Sequence, residues 1–127
     1  MVPRLMSKQD FKHALEVEFL DGTTWRILAP FSYESQASRH TVNVPYGFRT
    51  DFASIPRGLW NLFPPTGPYG KAAVIHDYLY RTRLFSKGIA DLVFLEAMAD
   101  LGVAWWKRQL MYHAVRWFGR RAWKGSR

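Results

Sequence analysis

Lys71-Ala72-Ala73-Val74-Ile75-His76-Asp77-Tyr78-Leu79-Tyr80 decides the fold. The chain before it reads as short extended pieces and the chain after it as helices. The stretch itself is apolar, and it is expected to be helical from about Pro68 or Tyr69 to Tyr80. His76 and Asp77 interrupt its apolar character. Burying such groups costs roughly 2–7 kcal/mol each unless they find partners, so the sequence must supply those partners elsewhere. Two further acids, Asp51 and Asp91, are available.

Working upstream, Phe11 to Phe19 and Thr23 to Leu28 flank Asp21-Gly22, which reads as a β-hairpin. Phe31 to Ser38 is polar and irregular and is expected to be a loop. His40 to Val44 is a third strand ended by Pro45, and Gly47 turns the chain into a fourth extended piece, Phe48 to Phe52. Ile55-Pro56 can open a short helix through Leu59, Trp60 and Phe63, since proline is tolerated in a first helical turn. Ser54 is suited to cap it. Pro64-Pro65-Thr66-Gly67-Pro68 is a rigid connector that turns a corner.

Downstream, Ser86 is a suitable N-cap for a second helix running to Asp100. Leu101-Gly102 ends it, Val103 to Phe118 forms a third helix, and Gly119 stops that helix before a polar tail. Strands early and helices late argue α+β, not a βαβ nucleotide fold. The expected architecture is a small N-terminal antiparallel β-sheet or set of hairpins packed against three C-terminal helices. It forms a single domain over residues 1–127, with a basic tail from about 119.

The chain has 127 residues, 48% hydrophobic and 17% aromatic, enough for one folded core and too short for two ordinary domains. It has no cysteine, which excludes disulfides and thiolate metal sites. No apolar run approaches the roughly 18 residues of a membrane span. The first residues lack the apolar stretch of a signal peptide, so a cell-internal soluble protein is expected. The net charge of +8 is lopsided: residues 1–63 carry seven bases and six acids, residues 64–127 eleven bases and four acids. From Val103 onward there are seven bases and no acid.

Adjacent residues on a helix diverge by about 100°, so His76 and Asp77 address different partners. Tyr80, four residues after His76, shares its face. Asp91 lies on the next helix and can meet His76 or Tyr80 if the two helices run antiparallel. A carboxylate there orients an imidazole and strengthens it as a base; the plain alternative is that Asp91 caps or forms an ion pair with an arginine such as Arg81. Asp51 sits where an extended piece gives way to a helix. It can accept backbone N–H groups or reach over the helix pair as a ligand or base. One histidine with several aspartates suits a divalent cation, calcium or zinc; Asp77 can face such a ligand with Asp51 within reach, while His76 and Asp91 can form a catalytic pair. No His-Glu-x-x-His motif and no glycine-rich phosphate loop is present.

Trp105, Trp106, Trp117 and Trp123 alternate with Lys107, Arg108, Arg116, Arg121 and Lys124. Such a pattern can stack bases and neutralise phosphates, bury its rings against the sheet, or present a protein-docking surface. Docking through Arg116, Arg120 and Arg121 is preferred here over nucleic-acid binding.

Pro45-Tyr46-Gly47-Phe48-Arg49-Thr50-Asp51-Phe52-Ala53-Ser54-Ile55-Pro56, the opening stretch, Ala90-Asp91-Leu92-Val93-Phe94, Ala97-Met98 and Met111-Tyr112 together resemble the DUF1353 family. The resemblance covers roughly residues 10–120. Members are common in phage and prophage genomes and their function is undefined. The resemblance implies a phage-encoded structural or assembly accessory, associated with the tail of the virion. It would act in the host cytoplasm during assembly, with other phage structural proteins as partners. The alternative is a small metal-assisted hydrolase.

A second, partial similarity is to the helical core of secreted phospholipase A2: His76-Asp77 followed by Tyr80, with Asp91 on the next helix. It implies His76 as base, Asp77 as calcium ligand and Asp91 as the support of the histidine. The chain departs from that family in lacking its disulfides and its glycine-rich calcium loop.

Overall fold

Turn chemistry sets the first hairpin. Asp21-Gly22 joins β1 (Val17–Asp21) to β2 (Thr24–Ile27). Gly22 takes φ +47°, a left-handed conformation that costs glycine little. The strands pair antiparallel, Val17 opposite Ile27 and Phe19 opposite Trp25. The computed structural model describes residues 11, 14–22, 24–51, 57–59 and 70–125. Ser54, Ile55-Pro56, Trp60, Phe63 and the Pro64–Pro68 connector lie outside them.

Phe31 to Ser35, expected to be a loop, is a strand. It forms β3 (Phe31–Ser35), paired antiparallel with β4 (His40–Val44), Phe31 opposite Val44 and Ser35 opposite His40. The reason is alternation hidden by polar residues: Phe31 and Tyr33 face the core together with Val42 and Val44, while Glu34 points out. Phe11 closes this layer, its ring 4.6 Å from that of Tyr33. The short β5 (Arg49–Thr50) pairs with β2, so one sheet has the order β1-β2-β5 and the other is the β3-β4 hairpin. A single 3-10 turn, Arg57–Leu59, is described in the region expected to open a short helix.

The helical half comprises α1 (Gly70–Thr82), α2 (Lys87–Asp100), α3 (Trp105–Phe118) and a short α4 (Arg120–Gly125). Ser86 caps α2, its hydroxyl accepting from the Ile89 N–H. Gly102, at φ +83°, ends α2 with Val103 N–H donating to Met98 O and Gly102 N–H to Ala99 O. That pair satisfies carbonyls the helix itself leaves open. The third helix begins at Trp105, two residues later than expected, because Val103 turns into the core as Gly102 closes α2.

Among its residues only Tyr78, Arg81 and Thr82 of α1 escape full burial, so α1 is the central element, touching β4, β5, α2 and α4. This is the expected α+β architecture of an N-terminal antiparallel β-layer on a bundle of three helices. The region after Gly119 differs from the polar tail expected there. It coils into α4, and Trp123 packs edge-on to Tyr80 at 5.1 Å, with the Arg83 guanidinium 4.5 Å from its ring.

Polar ties fasten the two halves. Glu96 of α2 accepts from Ser35 Oγ (2.8 Å) and from the Gln36 and Ala37 N–H groups of the β3–β4 turn (2.8 and 3.4 Å). The buried Tyr33 hydroxyl donates to Asp100 at the end of the same helix.

Candidate functional site

His76 and Tyr80, one turn apart on α1, both reach the same carboxylate on α2. His76 Nε2 lies 2.6 Å and Tyr80 Oη 2.7 Å from Asp91 Oδ1. An ionised carboxylate only accepts, so Nε2 carries the proton and Nδ1 the lone pair. The imidazole is stacked between Tyr80 (centroids 4.2 Å apart) and Phe94 (4.7 Å) and has no solvent exposure.

The other oxygen, Asp91 Oδ2, accepts from Lys87 Nζ at 2.8 Å and from Arg116 Nη1 at 3.3 Å. Lys87 sits one turn before Asp91, and its ammonium also donates to Val115 O and Arg116 O near the end of α3 (3.2 and 3.3 Å). One carboxylate thus gathers four donors and stitches α1, α2 and α3 together. Burial alone pushes the Asp91 carboxyl upward, but the bonds from His76, Lys87 and Tyr80 prevail and hold it at about 2. Burial lowers His76 from its ordinary value against the opposing pull of Asp91. The pair at neutral pH is therefore a neutral imidazole on an ionised aspartate.

Asp77 goes elsewhere. It accepts from Thr50 Oγ1 of β5 at 2.6 Å, and Arg81 Nε stands 3.9 Å from its Oδ1. Arg81 Nη2 also reaches Asp51 Oδ1 at 3.4 Å. Burial pushes Asp77 up to about 6, with Thr50 and Arg81 opposing and Asp51 adding to the rise. The helical step between His76 and Asp77 therefore separates the expected site into two clusters. His76 and Asp91, the proposed catalytic pair, are together; Asp77 and Asp51, the proposed metal ligands, are together on the sheet side with a guanidinium spanning them. Among the described residues no group of three or more histidine, aspartate, glutamate or cysteine side chains is placed to hold a metal ion. The ion pair drawn between Asp91 and Arg81 in the plain alternative forms instead with Lys87 and Arg116.

Sequence reasoning missed the bonds from Lys87 and Arg116 to Asp91 and from Thr50 to Asp77. The four-residue spacing of Lys87 and Asp91 was a readable signal. Arg116 lies 25 residues beyond Asp91 on another helix, and no local pattern reports it.

The basic aromatic region takes a form of its own. Trp105, Trp106 and Trp117 are not buried against the sheet; they are 66%, 58% and 69% exposed on α3. Lys107 Nζ lies 5.6 Å from the Trp106 ring and the Arg120 guanidinium 5.5 Å from that of Trp117. Arg116 divides its role, half-exposed yet bonded inward to Asp91. Arg121 belongs to α4, and its side chain lies outside the described residues. No described helix is long and apolar enough to cross a membrane.

Fold and site define an α+β protein with an internal histidine–carboxylate centre and an outward aromatic helix face. Residues 25–115 match the family described as "Protein of unknown function (DUF1353)", and the chain belongs to that phage-associated family. It is also similar to the uncharacterised protein y4jT of Sinorhizobium fredii, 41% identical over 78 residues, covering 60% of this chain and 23% of the relative. The chain thus matches less than a quarter of that relative's length. No solved structure matches it significantly.

Proposed function

We propose that this chain is a phage assembly accessory that presents the α3–α4 face to another phage structural protein, in the host cytoplasm and then in the virion tail. The observation that carries the reading is the outward placement of Trp105, Trp106 and Trp117 on a helix whose opposite side is anchored by Met111, Ala114 and Val115. Contiguous apolar exposure rimmed by charge marks interaction sites, and Trp and Arg dominate the energetics of such contacts. The Asp91 centre supports the reading from inside, because it locks α3 to α1 and α2 and so holds the face rigid.

The test uses cells in which the phage replicates and a tagged chain. Association with particles or assembly intermediates is expected to fall at least tenfold when Trp117→Ala is combined with Arg120→Glu and Arg121→Glu, with the thermal midpoint unchanged. Undiminished association overturns the reading.

One observation favours a second reading, a hydrolase with His76 as general base: the Nε2–H···Asp91 bond fixes the tautomer and orientation of the imidazole. A calcium shell takes six to eight oxygens. Asp77 and Asp51 supply part of that, with Arg81 already between them, so no step is routed through a metal. Turnover of ester substrates lost in His76→Asn and retained in Asp77→Asn supports this reading; no turnover by the parent chain removes it. Calcium and zinc titration of the parent and Asp77→Asn tests the ligand assignment separately, and unchanged affinity removes it.

A further inference from the structure

We infer that the occupant of the α3 face is an α-helix of another protein, with an apolar seam bordered by acidic side chains. The inference rests on the assembly reading and names the chemistry of its partner.

Trp106, Leu110, His113 and Trp117 are spaced four, three and four residues apart. This is the alternation by which a helix offers a and d positions to a second helix. Three of the four are large apolar side chains left outside the core, Trp106 58%, Leu110 42% and Trp117 69% exposed, and His113 is exposed between them. In the same register the flanking e and g positions hold Lys107, Gln109, Ala114 and Arg116, two cations and no acid. Flanking charges of this kind choose partner and orientation in helix pairs. The Lys107 ammonium and Arg120 guanidinium, each near a seam tryptophan, keep positive charge at both ends of the stripe.

Complementarity separates the occupants. A second copy would set Lys107 and Arg116 against the same cations, in a region with seven bases and no acid after Val103. Trp105 and Phe118, also exposed on α3, stand at its two ends and about 100° off the seam, so the side chains bordered by Lys107 and Arg116 form a two-in-seven stripe, the narrow seam that suits another helix. An acid-flanked helix satisfies both the seam and its borders.

The experiment uses the full chain and two synthetic three-heptad helices with leucine at every a and d. One carries glutamate and the other lysine at every e and g. The glutamate helix is expected to bind, the lysine helix at least tenfold more weakly. Trp106→Ala with Trp117→Ala should weaken the glutamate helix at least tenfold while circular dichroism and melting stay unchanged. Equal binding of both helices, or none by the folded chain, overturns the inference. So does sedimentation of the chain as a dimer that Trp117→Ala dissociates, or capture by phosphatidylglycerol vesicles in preference to the glutamate helix. The two proposals fail separately. Particle association that survives the double tryptophan variant sinks the helix partner and leaves the assembly reading; glutamate-helix binding by a chain that never joins particles does the reverse.

Discussion

At the scale of single residues, Asp91 carries more of the molecule than its size implies. Its removal takes a shared acceptor from an imidazole, a phenol, an ammonium and a guanidinium. Breaking a buried ion pair from one side costs about 3–5 kcal/mol, so Asp91→Ala is expected to lose that much in urea unfolding. The titrations of the neighbours oppose one another. His76, lowered in the fold, makes stability fall as pH drops below about 6.5, because the unfolded chain then takes up the proton first. Asp91, also lowered, contributes above its unfolded value, and that contribution is lost as pH falls toward about 2. Asp77 is raised, so its contribution is complete in acid and disappears as pH rises through about 6. Asp77→Asn should therefore stabilise the protein at pH 7.5 by on the order of 2 kcal/mol. That gain should vanish by pH 4, as read from urea midpoints at the two pH values.

At the scale of elements, two junctions have sharp consequences. Ser86→Ala removes the acceptor for Ile89 N–H and is expected to cost about 1 kcal/mol. Gly119, between α3 and α4, is buried, and a Cβ there would stand 2.7 Å from the Tyr80 hydroxyl and closer still to the backbone carbonyl oxygen of Val115. Gly119→Ala should shift the backbone at the end of α3, disturb the Tyr80–Asp91 bond and cost about 1–3 kcal/mol by overpacking, seen as a lower denaturation midpoint. The helices were legible because their signals are local: the Ser86 cap, the stop at Gly102, the apolar run before Tyr80. Strand β3 was not, because Ser32, Glu34 and Ser35 mask an alternation that matters only once β4 lies beside it. The same distinction governs the site. His76, Tyr80 and Asp91 were readable from helical spacing and one assumption of antiparallel packing. The diversion of Asp77 to Thr50 and the arrival of Arg116 depend on how sheet and third helix dock, which no window of sequence contains.

At the scale of the whole molecule, the tryptophans divide by position rather than by chemistry. Trp106→Ser with Trp117→Ser should leave stability within about 0.5 kcal/mol, as for surface changes generally. Trp123→Ala, by contrast, removes a ring lying against Tyr80 and Arg83 and should lower the thermal midpoint measurably. The comparison separates residues kept for the fold from those offered to a partner, and differential scanning calorimetry reads it directly.

The region that matches the family stops at residue 115, before the last turn of α3 is complete, and opens at residue 25, inside β2. A fragment trimmed to those limits would part β1 from β2, delete Arg116 from the Asp91 carboxylate, and strip Trp123 from Tyr80. Anyone excising this unit for crystallisation or fusion should cut outside residues 11–125, which keeps the buried Phe11 against Tyr33.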